Sequence, residues 1–460
     1  MSSYKEMREN MSTCVIDKPA FVFVSNYLNH HQIPFCNAMY ELCGGSFVFV
    51  QTEPMEEERL RMGWEGDIQQ PYLKLYYKSA EECKRLILQA QIVMFGGCDE
   101  EAYIEERLKA GKPVIRYSER LYKTGQWKAV SPRGLKKKYQ DHTRYRKAPV
   151  YLLCAGAYVP ADFSIVRAYP KKMYCWGYFP ETRHYNVERL LAGKGWAAPD
   201  EAKRSDDTKV PYILWAARMI PWKHPELALE TARYLKSRGV PFHMEMIGGG
   251  SMEAQVRALR EEYGLEHEVT LSGFLAPPQV REHMEKANIF LFTSDRQEGW
   301  GAVANEAMNS GCAVLADHMI GAVPFLIKDG ENGLIYRDGD RQELFALAEK
   351  MARNREFCAR LGKNAYRTIT EVWNAERAAT ALLELCGKLG LRDRAEYEQG
   401  VRSTRQEISF GRAALEDFEN GHGDMGGNAY SGSFNSAPCV PAAVISERRM
   451  YGLLKREKRR

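Results

Sequence analysis

The chain has 460 residues, of which 45% are hydrophobic and 27% charged, a size and composition that suit two globular domains. A formal net charge of +5 is too small to favour nucleic acid over other anionic partners. The 11 cysteines lack the close spacing of zinc or redox motifs, the nearest two being Cys36 and Cys43. The N-terminus shows no secretory signal, and no apolar run reaches the ~20 residues that cross a bilayer. We therefore expect a cytoplasmic protein with reduced thiols.

A polar, flexible arm at residues 1–18 precedes the first predicted domain, which we place at 19–177. Short apolar runs separated by helical stretches predict an α/β unit there. Its predicted strands are residues 21–24, 46–50, 92–95, 113–117 and 150–154.

The loop after the first predicted strand is rich in amide and imidazole groups, among them Asn29, His30 and His31. An imidazole can hydrogen-bond a phosphate or an acceptor hydroxyl, so these residues are candidates for the acceptor side of a site. A histidine that only caps the following helix explains the pattern nearly as well.

Glu119 follows the predicted strand at 113–117 and is a further candidate, as a carboxylate in a cleft. A surface ion pair with the neighbouring Arg120 explains this residue equally well.

Residues 123–147 form a basic segment with nine Lys or Arg, one acid (Asp141) and three interleaved aromatic residues. It could contact anionic lipid headgroups or a lipid-linked pyrophosphate acceptor. It could instead bind RNA, or be a solvated lysine-rich loop, as most charge runs are.

A linker at 178–209 leads to a second predicted α/β domain at 210–375. Its strand at 213–217 runs into Arg218 and Lys223, whose charges could hold a diphosphate or be ordinary surface charge. The strands at 242–247 and 269–273 end in glycine-bearing turns. These turns fall on one edge of a parallel sheet, where open α/β sheets bind ligands.

Two glutamates, Glu298 and Glu306, bracket a glycine-containing turn between the apolar strand at 289–293 and a helix at 302–309. The order strand, loop, helix presents a helix N-terminus, which attracts anions, at the edge of the sheet. The two carboxylates could reach hydroxyls on either side of a bound diphosphate. Alternatively, both are solvated acids favoured by the helix dipole.

A metal site is not expected. The sole Asp-x-Asp pattern is Asp338–Asp340, and a capping box between Asp340 and Glu343 explains it. Beyond the second domain we predict a helical return at 376–418 and a flexible basic tail at 419–460. The end of that tail could be a short basic helix against a membrane or the first domain, or be disordered.

Taken together, these features resemble the retaining glycosyltransferases of family 4, the group 1 glycosyltransferases, which have the two-domain GT-B fold. The motifs that carry the resemblance occur in the family's order over residues 211–340. They are Arg218 with Lys223, the turns at 247–250 and 273–274, the Glu298/Glu306 pair, and the segments 310–315 and 329–335.

The resemblance implies two Rossmann-like domains facing a central cleft. Glu298 would contact hydroxyls of the donor sugar, Glu306 would contact the ribose, and Arg218 and Lys223 would hold the diphosphate. The further donor-binding positions it implies are Gly248, Gly249, Gly299, Gly301, Ala302 and Val303, together with Phe274 and Leu275, which would line the base pocket.

The sequence departs from the family pattern at three places. Phe325 follows Pro324 where the family usually has a carboxylate, and Ala217 stands where a glycine commonly precedes the arginine. The family's glycine-rich loop after the first strand is replaced by the loop that carries His30 and His31. The departures leave the proposed diphosphate and ribose contacts in place.

The resemblance implies a nucleotide-diphosphate sugar as donor substrate, with no cofactor and no metal, and a glycan or lipid-linked acceptor, as in surface polysaccharide synthesis. It also suggests the membrane role of residues 123–147, at the inner face of the membrane, rather than nucleic-acid binding. A sugar-nucleotide epimerase or hydrolase, and a non-catalytic partner subunit, remain open alternatives.

Overall fold

The computed structural model describes residues 18–57, 68–98, 100–124, 131–195, 210–391 and 437–456. The predicted arm therefore lies outside the described residues up to residue 17. The described residues form two parallel sheets, one of seven and one of six strands.

The first sheet has the strand order β3-β2-β1-β4-β5-β6-β7. All its neighbouring strands run parallel. It includes the five predicted strands, within two residues at each end, and adds β3 and β7. Its strands are β1 Phe21–Ser25, β2 Phe47–Gln51, β3 Leu73–Leu75, β4 Ile92–Phe95, β5 Val114–Ser118, β6 Val150–Ala155 and β7 Met173–Trp176.

The second sheet has the order β10-β9-β8-β11-β12-β13 and is also parallel. Its strands are β8 Tyr212–Ala216, β9 His243–Ile247, β10 Val269–Gly273, β11 Ile289–Phe292, β12 Ala313–Asp317 and β13 Gly333–Tyr336.

Helices cover both faces of the sheets, which explains the continuous apolar runs of the strands. In the first domain they are α1 Ile33–Leu42, α2 Ala80–Gln89, α3 Glu105–Lys109, α4 Pro132–Lys138 and α5 Val159–Ile165, and α6 Val187–Gly193 follows. The second domain has α7 Pro225–Ser237, α8 Glu253–Glu262, α9 Pro277–Lys286, α10 Val303–Asn309, α11 Val323–Leu326, α12 Arg341–Arg353 and α13 Arg355–Arg367.

Side chains alternate between two buried layers along each central strand. In β1, Val22 and Val24 join a cluster confined to the first domain, whereas Phe21 and Phe23 join one that continues into the second domain. This shared cluster places apolar packing directly beneath the contact between the domains.

The strand order of each sheet reverses at one point, between β1 and β4 and between β8 and β11. The loops that leave the carboxyl ends of strands at such a switch point diverge and leave a crevice for ligands. The predicted Arg218–Lys223 loop follows β8, and the Glu298 loop follows β11, so both belong to the switch point of the second sheet.

The chain returns to the first domain after the second. Helix α14, Ala375–Lys388, packs against α1. Helix α15, Glu447–Arg456, lies within the predicted flexible tail, but its Met450 is only 1% exposed. Of the alternatives for the end of the tail, the structure has the short helix, and residues 437–456 pack onto the folded domains. Residues 392–418 of the predicted return lie outside the described residues.

Within the part of the chain that the structure describes, no helix combines the length and the apolar character needed to span a membrane.

Candidate active site

Lys223 and Glu298 meet at the switch point of the second sheet. The Lys223 ammonium donates to Glu298 Oε2, and both side chains are about 15% exposed. Arg218 lies in the same loop, with its guanidinium 5.9 Å from the centre of the Trp222 ring. Two cations and a carboxylate, separated by up to eighty residues in the sequence, therefore share one corner of the cleft.

The loop that carries Lys223 has a fixed backbone. His224 adopts a left-handed conformation with φ of 49° just before α7. Its ring contacts Asp295 Oδ2 at 3.3 Å and Glu226 Oε1 at 2.8 Å. These two carboxylates, Asp295 first, raise the pKa of His224 to about 10. His224 is therefore a cation at neutral pH, and it ties the loop after β8 to the loop after β11.

Close backbone packing holds the Glu298 loop. A Cβ at Gly321 would overlap the Gly299 carbonyl oxygen, and one at Gly156, in the first domain, would lie 2.8 Å from that oxygen. The Gly321 amide donates to Glu298 O at 3.3 Å, and the Ala157 amide donates to Gly321 O at 2.9 Å. The peptide after Glu298 is thus enclosed by glycine backbone from both domains.

Glu119 approaches the same peptide from the first domain. A Cβ at Gly299 would overlap the Glu119 carboxylate and lie 2.8 Å from Lys123 Nζ. Lys123 forms an ion pair with Glu119, and the Tyr178 hydroxyl donates to Glu119 Oε1 at 2.7 Å. The alternative of a Glu119–Arg120 surface pair is wrong, because Arg120 is buried and its guanidinium pairs with Asp162 and Glu447.

A cavity of about 230 Å³ lies between the domains. Glu306 lines it from the first turn of α10, and burial raises the pKa of this carboxyl although Arg281 and Arg183 lower it. Asn29 and His30 line the opposite side. The other lining residues are Ile33, Met55, Ile68, Pro180, Glu181, Pro277 and Pro278, with Arg183 and Arg281.

Phe274 and Leu275, the predicted base-pocket residues, do not line this cavity. Phe274 is 53% exposed, and Leu275 packs against the shared apolar cluster. Pro277 and Pro278, at the start of α9, line the cavity from the second domain.

The loop after β1 divides its side chains between two spaces. His30 faces the 230 Å³ cavity, whereas His31 lies beside Tyr117 and Tyr178. The Asn29 side chain accepts from the His31 amide at 3.0 Å. Helix α1 receives no side-chain cap from its N-cap residue, Gln32, so the helix-capping alternative for the histidines finds no support.

The described ranges contain no group of three or more His, Cys, Asp or Glu side chains that could hold a metal ion. Asp340 caps α12 by accepting from the Glu343 amide at 2.9 Å. A capping box would also have the Glu343 side chain accept from the Asp340 amide, but Glu343 Oε2 accepts from the Arg337 amide at 2.8 Å.

Residues 198–368 match the family model of the glycosyl transferases group 1. This part of the chain is thus similar to the group 1 glycosyltransferases.

Curated relatives match about a third of the chain. The amylovoran biosynthesis glycosyltransferase AmsK of Erwinia amylovora is 32% identical over 145 residues, which is 30% of this chain and 35% of AmsK. The poly(ribitol-phosphate) alpha-N-acetylglucosaminyltransferase of Staphylococcus aureus is 29% identical over 172 residues, 37% of this chain and 34% of that enzyme. The chain thus spans about a third of the length of these relatives.

Solved structures resemble the whole two-domain arrangement. Anabaena HepE in complex with UDP and glucose aligns with a TM-score of 0.55 at 13% identity, covering 81% of this chain and 99% of HepE. A glycosyltransferase from Rickettsia africae aligns with a TM-score of 0.55 at 16% identity over 81% and 99% of the two chains. With the two parallel sheets, this likeness confirms the GT-B fold.

The second domain departs from the family pattern at Phe325 for a packing reason. The Phe325 ring stacks on Trp373 at 5.9 Å between centroids and lies 6.2 Å from Trp300. Trp300 is fully buried and packs over Gly177 of the first domain. An apolar side chain at position 325 therefore completes the packing beneath the Glu298 loop.

Sequence reasoning missed several side chains of this candidate site. Lys123 was grouped only with the basic segment, and Arg281 and Tyr178 carry no motif of their own. The signal for His224 was its position, directly after Lys223 and before the proline that begins a helix.

Proposed function

We propose that the chain is a retaining glycosyltransferase that moves a sugar from a nucleotide-diphosphate donor to a glycan or lipid-linked acceptor in surface polysaccharide synthesis. The observation that carries this proposal is the Lys223–Glu298 ion pair at the switch point of the second sheet, in which Lys223 shares its loop with Arg218. Glu306, in the helix that follows the Glu298 loop, lines the cavity between the domains. The group 1 match and the polysaccharide role in the name of AmsK support it.

The two cations would hold the diphosphate of the donor. As the bond between the anomeric carbon and the diphosphate oxygen breaks, negative charge grows on that oxygen, and positive side chains stabilise it. The Glu298 carboxylate, which pairs with Lys223, would accept hydrogen bonds from hydroxyls of the donor sugar. Its pairing with Lys223 reduces the repulsion between this carboxylate and the phosphates.

The cavity would take the nucleoside. Its volume of about 230 Å³ accommodates a compact ligand, and the partly buried Glu306 carboxylate that lines it would accept hydrogen bonds from ribose hydroxyls. Pro277 and Pro278 offer an apolar wall for a base. The complex of HepE with UDP and glucose supports a nucleotide sugar as donor.

The first domain would supply the acceptor side. Glu119, held by Lys123 and Tyr178, lies against the peptide that follows Glu298. If Glu298 contacts the donor sugar, Glu119 would lie near the sugar that is transferred. Asn29 and His30 offer hydrogen-bonding groups on the same side of the cleft.

Arg218→Ala and Lys223→Ala test the diphosphate role. If these cations act on charge that develops in the transition state, each variant lowers kcat more than it raises the donor KM. Steady-state kinetics with Lys286→Ala, an exposed lysine of α9, as control measures the difference. A loss confined to KM would contradict the catalytic role. Turnover of the donor without any acceptor would favour a hydrolase or an epimerase. If the protein binds no nucleotide, the alternative of a non-catalytic partner subunit is favoured.

We also propose that the basic segment 123–147 associates with anionic membrane at the inner face. In the described part of this segment, Leu135 of α4 is 44% exposed, and Tyr139, directly after α4, is 60% exposed. Exposed lysines lie beside both residues. Apolar and aromatic groups among basic residues suit the headgroup region. The segment leads directly from the cleft, because Lys123 pairs with Glu119.

Vesicle sedimentation tests this association. The protein should sediment with vesicles that contain acidic lipid, less so at high salt, and not with neutral vesicles. Replacement of six basic residues by Gln should abolish sedimentation but not nucleotide binding: Lys136, Lys137, Lys138, Arg144, Arg146 and Lys147. A matched variant in the second domain should still sediment: Arg233, Lys236, Arg238, Arg257, Lys286 and Arg337 to Gln. Salt-sensitive binding to RNA without lipid binding would contradict the proposal.

A further inference from the structure

Residues 437–456 connect the two domains outside the cleft. Near the start of this segment, the Cys439 amide donates to Cys175 O at 2.8 Å, and the Cys175 amide donates to Val440 O at 2.8 Å. The Ala442 amide adds a bond of 3.0 Å to Met173 O. Strand β7, which contains Met173 and Cys175, is an edge strand of the first sheet. The segment therefore covers part of the free edge with antiparallel backbone hydrogen bonds.

The other end of the segment is fixed to the second domain. In α15, Lys455 Nζ donates to Ile335 O at 2.5 Å and lies 3.3 Å from Asp329 Oδ2. The Tyr451 hydroxyl donates to Glu343 Oε1 at 2.5 Å. Met450 and Leu454, one turn apart on the helix, are 1% and 6% exposed. These contacts bury an apolar face and satisfy charged groups, so the helix is docked along its length.

The first turn of α15 contacts the two loops that carry the cleft carboxylates. Glu447 Oε1 accepts from the Arg120 guanidinium, whose side chain is 1% exposed, and Glu447 Oε2 lies 3.9 Å from Arg296. Arg120 follows Glu119 directly, and Arg296 precedes Glu298 by two residues. One carboxylate from a distant part of the chain thus joins the first-domain loop to the second-domain loop.

We propose that Glu447 is a positioning residue and that residues 437–456, the C-terminal strap, hold the two sides of the cleft together. Glu447 acts through Arg120 and Arg296 to fix the spacing between the loops of Glu119 and Glu298. The strap keeps Glu447 in place by its anchorage at β7 and at Lys455. The effect on turnover rests on the proposed transferase function, whereas the effect on the loops does not.

Amide hydrogen exchange on the full chain tests the proposal without any substrate. Glu447→Ala should speed exchange about tenfold in peptides covering 119–124 and 294–301, and leave strands β8 and β12 unchanged. Arg449→Ala, which removes an exposed charge from the same helix, is the matched control and should leave both loops unchanged. No increase in either loop, or an increase of the same size throughout the chain, would overturn the proposal.

A second variant loosens the far end of the strap. Tyr451→Phe combined with Lys455→Gln removes contacts to the second domain only, yet it should also speed exchange in the first-domain peptide 119–124. Loosening confined to residues next to the substitutions would overturn the role of the strap.

Turnover and nucleotide affinity separate positioning from general stability. Glu447→Ala should lower kcat about tenfold and change the Kd for UDP, GDP or ADP less than twofold, because the cavity residues are not touched. An unchanged kcat in an active enzyme would overturn the positioning role. If the wild-type protein shows no transfer at all, the proposed function fails, and the exchange result alone decides whether the strap holds the loops.

Discussion

Replacing Gly321 by alanine should move the Glu298 loop without removing any functional group. A Cβ at this position would lie 2.8 Å from the Gly299 carbonyl carbon and overlap its oxygen. Carbon atoms pack best at about 3.5–4.0 Å, so the peptide must retreat by at least about 0.7 Å. Since Gly156 of the first domain packs on the same oxygen, the movement either shifts the loop or opens the contact between the domains.

The expected cost is larger for turnover than for stability. Overpacking of this kind destabilises a protein by about 1–3 kcal/mol. A misplacement of about 1 Å at reacting groups can cost on the order of 100-fold in rate. We therefore expect Gly321→Ala to remain folded at 25 °C with kcat reduced roughly 100-fold, because Glu298 moves relative to Lys223.

Steady-state kinetics and thermal unfolding together make the comparison. Gly387→Ala in α14 is the matched control, because a Cβ there meets no atom within 4 Å, and alanine favours a helix. The control should keep full turnover and be slightly more stable. If Gly321→Ala keeps the wild-type kcat while folded, the close packing of Gly299 does not position the catalytic loop, and this reasoning is refuted.

Three further predictions concern buried or paired charges. Burial raises the pKa of Asp317 to about 6 from an ordinary value near 3.8. The folded protein therefore binds the Asp317 proton more tightly than the unfolded chain does. This tighter binding stabilises the folded state below pH 4, and the stabilisation is lost as the pH rises through 6. In urea unfolding, Asp317→Asn should therefore be more stable than wild type by about 2 kcal/mol at pH 8 and nearly as stable as wild type at pH 4. A stability difference that does not change with pH would show that the raised pKa of Asp317 is not its cause. His224, whose pKa is raised to about 10 by Asp295 and Glu226, should keep its imidazolium NMR shifts up to about pH 9; titration near pH 6.5 would show that the pairs do not persist in solution. Lys194→Met should cost about 1–3 kcal/mol of unfolding free energy, because the buried ammonium satisfies two carbonyls at the end of α9; a neutral effect would mean that water replaces it.

Much of the fold and the donor corner could be predicted from the sequence because they depend on local patterns. The apolar runs at 21–24 and 289–293 identify central strands, and parallel strands place the loops that follow them on one edge. The meeting of Lys223 and Glu298 follows from that geometry, although the sequence does not say that β8 and β11 are neighbours. The resemblance to the family supplied the expectation that they would meet.

The remaining features depend on contacts between distant parts of the chain. The strap docks by backbone hydrogen bonds at Cys439, which leave no side-chain pattern, so the sequence left a docked helix and a disordered tail as open alternatives. The sequence left Glu119 open between a carboxylate in the cleft and a surface pair with Arg120, whereas folding brings it to Lys123 and Tyr178. The base-pocket role of Phe274 and Leu275 stays a prediction. The sequence did not indicate that Pro277 and Pro278, at the start of α9, would line the cavity.

The central claim is that the cleft binds the nucleoside diphosphate of a sugar donor. Measuring the proposed contact between Glu306 and the ribose tests this claim most directly. The measurement is calorimetric binding of the tightest of UDP, GDP and ADP, and of its 2′,3′-dideoxy form, to wild type, Glu306→Ala and the control Glu282→Ala, an exposed residue of α9. Hydrogen bonds to a charged group are worth about 1.5–3 kcal/mol, so wild type and the control should lose roughly 10- to 100-fold in affinity without the ribose hydroxyls. Glu306→Ala should bind the ordinary nucleotide that much more weakly and lose little more with the dideoxy form. Unchanged affinity in Glu306→Ala would contradict the assignment of this cavity to the nucleotide. The assignment would also be contradicted if the loss from Glu306→Ala and the loss from removing the ribose hydroxyls simply add.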